Sequence, residues 1–184
     1  AITMLNAVGG STNGILHLLA LANEVGIKLS YSDFERIRKK TPHIADMKPG
    51  GSYVMNSLDK IGGIPLVMKK LIDNNLLHGN SLTVTGKTIK DNLAGIKISN
   101  ASDEKIVRSI ENPLHNVGTA VILKGTLAPD GAVIKTAGME MTKFTGKAKV
   151  FDAEESAFDS VSKGEIEEGD VLVIRYEGPK GGPG

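Results

Sequence analysis

The sequence predicts a mixed α+β chain in which a helical first half gives way to a β-rich second half. Three patterns carry that prediction. Apolar residues recur at 3–4 spacing through residues 1–80, β-branched runs separated by turn residues fill the chain beyond 113, and one further helical stretch lies between the last two of those runs. The expected organisation is residues 1–85 helical, 86–112 a polar connector with a short helix near 104–110, and 113–184 a compact, barrel-like or layered β-rich domain.

Each element has a local reason. In "STNGILHLLALANEVG", Ile15, Leu18, Leu19, Ala22 and Val25 would form one buried face, with Ser11 or Thr12 capping the start and Gly26 the end. Ser32 and Glu35 fit a capping box for a second helix, which runs toward Lys40 and must stop near Pro42. A third helix is expected over residues 53–60. A fourth opens at Pro65 and carries Leu66, Met68, Leu71 and Ile72. The period then changes. "GTAVILKGTLAPDGAVIKTAG" reads as two strands around the turn residues Ala128, Pro129, Asp130 and Gly131. "GKAKVFD" is a further strand, Asp152 with Glu155 resembles a capping box for a helix ending about Ser162, and "GDVLVIRYEG" reads as a strand buried on both faces.

Composition excludes several function classes. The chain has 184 residues, 40% hydrophobic, with a net charge of +1, so it lacks the concentrated basic surface that nucleic acid or an anionic membrane requires. Aromatic residues are 4% with no Trp, too few for base-stacking platforms. Cysteine is absent, which removes disulfides and any thiolate-held zinc or iron–sulfur site within these residues. No apolar run approaches the roughly 20 residues of a membrane span, and the start carries no basic leader, so a cytoplasmic protein is expected.

The chemistry-bearing motifs are few. "LTVTGKT" fails as a phosphate loop, because the glycine needed five residues before Gly86 is Ser81. "VGGSTNG" is more informative. Gly9 and Gly10 permit close backbone approach, and Ser11, Thr12 and Asn13 would sit at a helix start, where free amides and the dipole favour an anion. A plain capped helix with a tight lead-in turn explains the same spacing, and spacing alone favours it. His17, His43, His78 and His115 show no ligand spacing: His17 reads as a packing residue, His43 and His78 as helix-end residues. Glu165, Glu167, Glu168 and Asp170 read as a solvated turn. In "GPKGGPG", Lys180 could bind an anion among open backbone amides, although composition alone favours a flexible tail.

Taken together, "GGSTNGILHLLALANEVGI", "PHIADMKPGGSYVM", "GGIPLVMKKLIDNNLLHGNSLTVTGKT", "ILKGTLAPDGAVIKTAG", "KVFDAEESAFDSV" and "GDVLVIRYEGPKGGPG" resemble the dihydroxyacid/phosphogluconate dehydratase family, in order and over nearly the whole chain. "PHIADMKPGGSYVM" is closer to the dihydroxyacid branch. The resemblance implies a hydro-lyase of valine and isoleucine biosynthesis that removes water from 2,3-dihydroxy-3-methyl carboxylic acids to give 2-oxo acids. Alternatives are a sugar-acid dehydratase of the same family and a non-catalytic structural or interaction domain. It further implies that residues 1–85 end an N-terminal α/β cluster-binding domain and that 113–184 belong to a swivelling β/β/α barrel.

Family members are about three times longer. The resemblance implies an iron–sulfur cluster held by upstream cysteines, and Mg2+ held by upstream carboxylates, a carbamylated lysine and a glutamate following Gly184, with a serine base beyond it. It implies a homodimeric parent, cytoplasmic or organellar in a eukaryote. The stretch alone is therefore expected to bind neither cofactor and to be inactive, with no catalytic or metal-binding residue. Gly10, Ser11, Thr12, Asn13, Lys180, Gly181 and Gly182 are expected around the substrate. Two departures are noted: Ser81 stands where relatives often carry Cys, and Gly14 where they often carry Ala. Helices separated from their parent sheet should also leave an apolar face uncovered.

Overall fold

A computed structural model of the chain describes residues 1–96, 103–141 and 143–178. They fall into two units, Ala1–Met139 and Glu140–Gly184, each described by itself. The architecture is mixed α/β, with two separate two-stranded sheets and no closed barrel among the described residues.

The first unit holds helices α1 (Ile2–Ala7), α2 (Asn13–Glu24), α3 (Tyr31–Arg38), α4 (Met55–Lys60), α5 (Gly63–Asp73) and α6 (Ile89–Leu93), a 3-10 turn at Asp103–Lys105, and strands β1 (Ala120–Leu123) and β2 (Ala132–Lys135). Helix α2 buries Ile15 and Ala22, with Leu18 and Leu19 partly buried beside them. Val25 does not join that face: it follows the last helical residue and is 67% exposed. The capping box of α3 is displaced by two residues from the expected one. Ser30 caps, and the Asp33 carboxylate accepts the Ser30 amide at 3.1 Å. Glu35 is thereby free for another task. Its carboxylate accepts the Ile122 amide of β1 at 2.9 Å and two hydrogen bonds from Arg38.

Two apolar clusters hold this unit together. One gathers Ile2, Ile15, Phe34 and Ala120, so α1, α2 and α3 share a core with the β1–β2 hairpin. The other gathers Ala7, Ile44, Ala45, Met47, Leu58, Val67, Leu71 and Val107. Each fully buried Leu, Val or Phe contributes about 1.5–3 kcal/mol relative to exposure. Residues 43–47 run extended through the second cluster. His43 pairs with His115 and Ala45 with Val107 as isolated antiparallel bridges, and the Ala7 carbonyl accepts the amides of Ile44 and Ala45. Val107, in the span read as a connector, is fully buried, and Lys70 of α5 donates to its carbonyl at 2.9 Å. The hairpin is antiparallel with Ala120 opposite Lys135 and Leu123 opposite Ala132. Gly131, at φ 129°, makes the turn that other residues resist.

In the second unit, β3 (Ala148–Phe151) pairs in parallel with β4 (Val171–Ile174), joined by helix α7 (Glu154–Ser162). This is a single βαβ unit. The expected box at Asp152 and Glu155 does not form. Ala153 occupies the cap position, the Glu154 amide donates to Glu177 at 3.0 Å, and Asp152 instead accepts from Arg175 at 2.7 Å. Nor is β4 buried on both faces: Leu172 is 37% and Ile174 42% exposed. Apolar side chains are exposed on both faces of this two-stranded sheet, Val150 at 53% on the face opposite Leu172 and Ile174.

Candidate functional site

The turn between α1 and α2 is built by the end of α1 itself. The Gly10 amide donates to the Leu5 carbonyl at 2.8 Å, and Gly9 adopts φ 59° so that the chain can reverse. Ser11 then accepts the Asn13 amide on its Oγ at 3.2 Å, and the carbonyls of Ser11 and Thr12 accept the Gly14 and Ile15 amides. Among the described residues the Ser11 and Thr12 amides donate to no backbone carbonyl. Ser11 and Asn13 are exposed, Gly10 and Thr12 half-buried. The turn is therefore an accessible helix start with two free donors, the arrangement that receives a carboxylate or phosphate.

Its floor is supplied by distant parts of the same unit. A Cβ added to Gly9 would lie 2.7 Å from Nε2 of His43 and 3.5 Å from the Ala137 Cβ. One added to Gly50 would lie 2.6 Å from the Ala137 carbonyl oxygen, and one added to Gly138 2.7 Å from the Gly50 oxygen. Three backbone segments thus meet where only glycine leaves room. The turn at residues 50–52 is held by Asp46, whose Oδ1 accepts the Ser52 amide at 3.1 Å.

His43 is the buried polar group of this floor. It is 5% exposed, and neither ring nitrogen has a hydrogen-bond partner among the described residues. Its ring stacks on His115 with centroids 5.4 Å apart and planes within 10°. Burial pushes its pKa down to about 4, and the neighbouring His115 ring adds to the effect. His43 is thus not the helix-end residue the sequence suggested: it lies in a β-bridge within the core. His17, expected to pack, is exposed. His78 is exposed and lines a cavity with Ile72, Asn80, Ser81 and Lys90.

Of the expected site residues, the structure describes Gly10, Ser11, Thr12 and Asn13, which it brings together in one turn. Lys180, Gly181 and Gly182 lie outside the described residues. His43 was read only as a helix-end residue, and Gly50 and Gly138 were not singled out from the sequence; the paired glycines in "KPGGS" and the glycine of "KTAG" were the available signal. An apolar cavity of ≈ 800 Å³ lies elsewhere in the unit, with Leu18, Leu21, Val25 and Ile27 in its wall. The last three of these are 62–67% exposed. Among the described residues no helix is long and apolar enough to cross a membrane.

The geometry is thus an accessible helix start with two free amides, backed by glycines and a buried imidazole in a mixed α/β unit. The family follows from comparison. Residues 1–92 match the family model described as dihydroxy-acid/6-phosphogluconate dehydratase N-terminal, and residues 105–184 match its C-terminal counterpart. The chain belongs to the dihydroxy-acid/6-phosphogluconate dehydratase family. It is 59% identical over all 184 residues to a dihydroxy-acid dehydratase of Saccharolobus islandicus, covering 100% of this chain and 33% of that protein. The corresponding enzyme of Sulfolobus acidocaldarius is 58% identical, with 33% of it covered, and that of a Nocardioides species 56%, with 32% covered. The chain thus spans about a third of the length of these curated relatives.

The residues present do not fit the cofactors that the family implies. The 184 residues contain no cysteine to hold an iron–sulfur cluster, and among the described residues no group of three or more His, Asp or Glu side chains is placed to hold a metal ion.

Proposed function

We propose that this chain forms part of a dihydroxy-acid dehydratase, a hydro-lyase that converts 2,3-dihydroxy-3-methyl carboxylic acids to 2-oxo acids in valine and isoleucine biosynthesis. The observation that carries the reading is identity of 56–59% along the whole chain to proteins of that name. The chain's own part in the chemistry is to hold substrate. The free amides of Ser11 and Thr12 and the start of α2 receive the substrate carboxylate, with Gly10 giving it access and Asn13 donating beside it. Lys180, with Gly181 and Gly182, is also proposed as substrate-binding in the parent enzyme. The parent is proposed to be a cytoplasmic homodimer that holds its iron–sulfur cluster and Mg2+ through residues outside this stretch. For residues 113–184 a swivelling β/β/α barrel is proposed, supported by the parallel β3–α7–β4 unit and its uncovered Leu172 and Ile174.

The test is substrate choice. The intact polypeptide, at the length of its relatives and supplied with iron, sulfide and Mg2+, is assayed for 2-oxo acid formation. Turnover of 2,3-dihydroxy-3-methylbutanoate and not of 6-phosphogluconate is expected. The reverse preference sinks the dihydroxyacid reading in favour of the sugar-acid one.

A further inference from the structure

We infer that His43 is a positioning residue for the turn that launches α2: its imidazole, held between the Gly9 backbone and the His115 ring, fixes where Ser11 and Thr12 present their amides. This rests on the reading of that turn as a carboxylate seat, although the two can fail separately.

Three observations support it. First, His43 is fixed on both sides. Its amide donates to the His115 carbonyl at 2.9 Å, its carbonyl accepts the Leu114 amide at 2.9 Å, and its ring lies against His115. Second, the ring lies so close to Gly9 that a Cβ added there would stand 2.7 Å from Nε2. Gly9 is the left-handed residue on which the reversal depends, so a shift of the ring is passed to the turn within two residues of Ser11. Third, the ring keeps two buried nitrogens without partners. Such a group costs more than an apolar side chain of similar shape, so packing alone does not account for a histidine here.

Protonation is the natural perturbation. The charged and titratable groups that act on the ring are His115 beside it, Asp46 on its own segment and Lys135 at the end of β2; α1 brings none. His115 and Lys135 disfavour a charged His43, and Asp46 favours it. A backbone hydrogen bond at Ala45 also favours the charged ring, but burial outweighs it, so a proton gained there is the perturbation the turn would feel.

The experiment is a nitrogen-15 NMR titration of the chain from pH 7.5 downward, following the His43 ring together with the amides of Gly9, Gly10, Ser11 and Thr12. Those four amides are expected to shift with the midpoint of the His43 ring, while the methyls of Leu58 and Val67 stay in place. In His43→Phe, which keeps a stackable ring and cannot titrate, the pH dependence of the four amides is expected to vanish. Should the turn and the core methyls change only together, as one unfolding event, His43 is a core residue and the inference is overturned. Four amides that ignore the His43 titration overturn it as well.

A second titration, with 2-oxo-3-methylbutanoate at pH 7.5, separates the two readings. Shifts at Ser11 and Thr12 in the unsubstituted chain, with Kd raised about tenfold in His43→Ala, are expected, a factor equivalent to the alignment of one hydrogen bond. Equal affinity in both leaves the carboxylate seat standing and removes the role of His43. No shifts from the probe, with pH-coupled turn amides, removes the seat and leaves the positioning intact.

Discussion

The carboxylate of Glu35 accepts the backbone amide of Ile122 at 2.9 Å, which ties α3 to the first strand across 87 residues of sequence. Burial alone would raise the pKa of this carboxyl. Hydrogen bonds from Arg38 and Ile122, together with the Arg38 charge, hold it below the ordinary value instead. The contact is therefore present above the ordinary glutamate range and lost as pH falls through the depressed value. Glu35→Ala should lower stability by about 1.5–3 kcal/mol, the range for a hydrogen bond to a charged group, and should expose the Ile122 amide to faster hydrogen exchange. Unchanged exchange at Ile122 would count against the tie.

Gly118 leaves space that Asn6 fills. Asn6 is fully buried, donating to the Ile2 carbonyl at 3.0 Å and accepting the Ala120 amide at 3.3 Å. A Cβ on Gly118 would stand 2.2 Å from Asn6 Oδ1 and 2.5 Å from its Cβ. Gly118→Ala should therefore cost about 1–3 kcal/mol by overpacking, read as a lower urea midpoint at constant slope. A midpoint equal to that of the unsubstituted chain would mean that Asn6 can move away without loss.

Stability should also fall on mild acidification because of His43. Its folded pKa of about 4 lies below the ordinary 6.5, so between those values the unfolded chain binds the proton and the folded chain does not. Stability from this group is full above about pH 6.5, declines toward pH 4 and changes no further below it, a total of about 2–4 kcal/mol. The measurement is urea unfolding at a series of pH values, with His43→Phe as the comparison. A slope in this window that survives the substitution assigns it to other groups.

In the intact enzyme, Asn13→Ala and Lys180→Ala should each raise KM for the dihydroxy acid, by about tenfold for the loss of one hydrogen bond or ion pair to a carboxylate. Steady-state kinetics decides the matter. Values of kcat and KM that both match the unsubstituted enzyme would remove the residue concerned from the substrate's surroundings.

The longer elements were legible because their signals are local. The 3–4 spacing of Ile15, Leu18, Leu19 and Ala22 marks α2, and the turn residues before Ala132 mark the hairpin. Two of the short helices were not: α1 and α6 have six and five residues, too few to show a period, although α4, also six residues, was expected. The capping box moved because Ser30 with Asp33 and Ser32 with Glu35 are both serine followed three residues later by an acid; only the contact to Ile122 decides between them. The candidate turn at residues 9–13 was visible as a glycine-led helix start. Its floor was not, since nothing near His43 in the sequence announces His115 or Ala137.

The bridge between His43 and His115 also has a consequence in time. Ribosomes add roughly 5–20 residues per second, so residues 43–47 wait several seconds for the partners that cover them. During that interval the segment packs on Ala7 and on α4 and α5, while the edge that His115 and Val107 will cover stays bare. Slowing translation beyond residue 47 would lengthen that exposure, which makes the middle of this chain the place where a nascent-chain chaperone has most to protect.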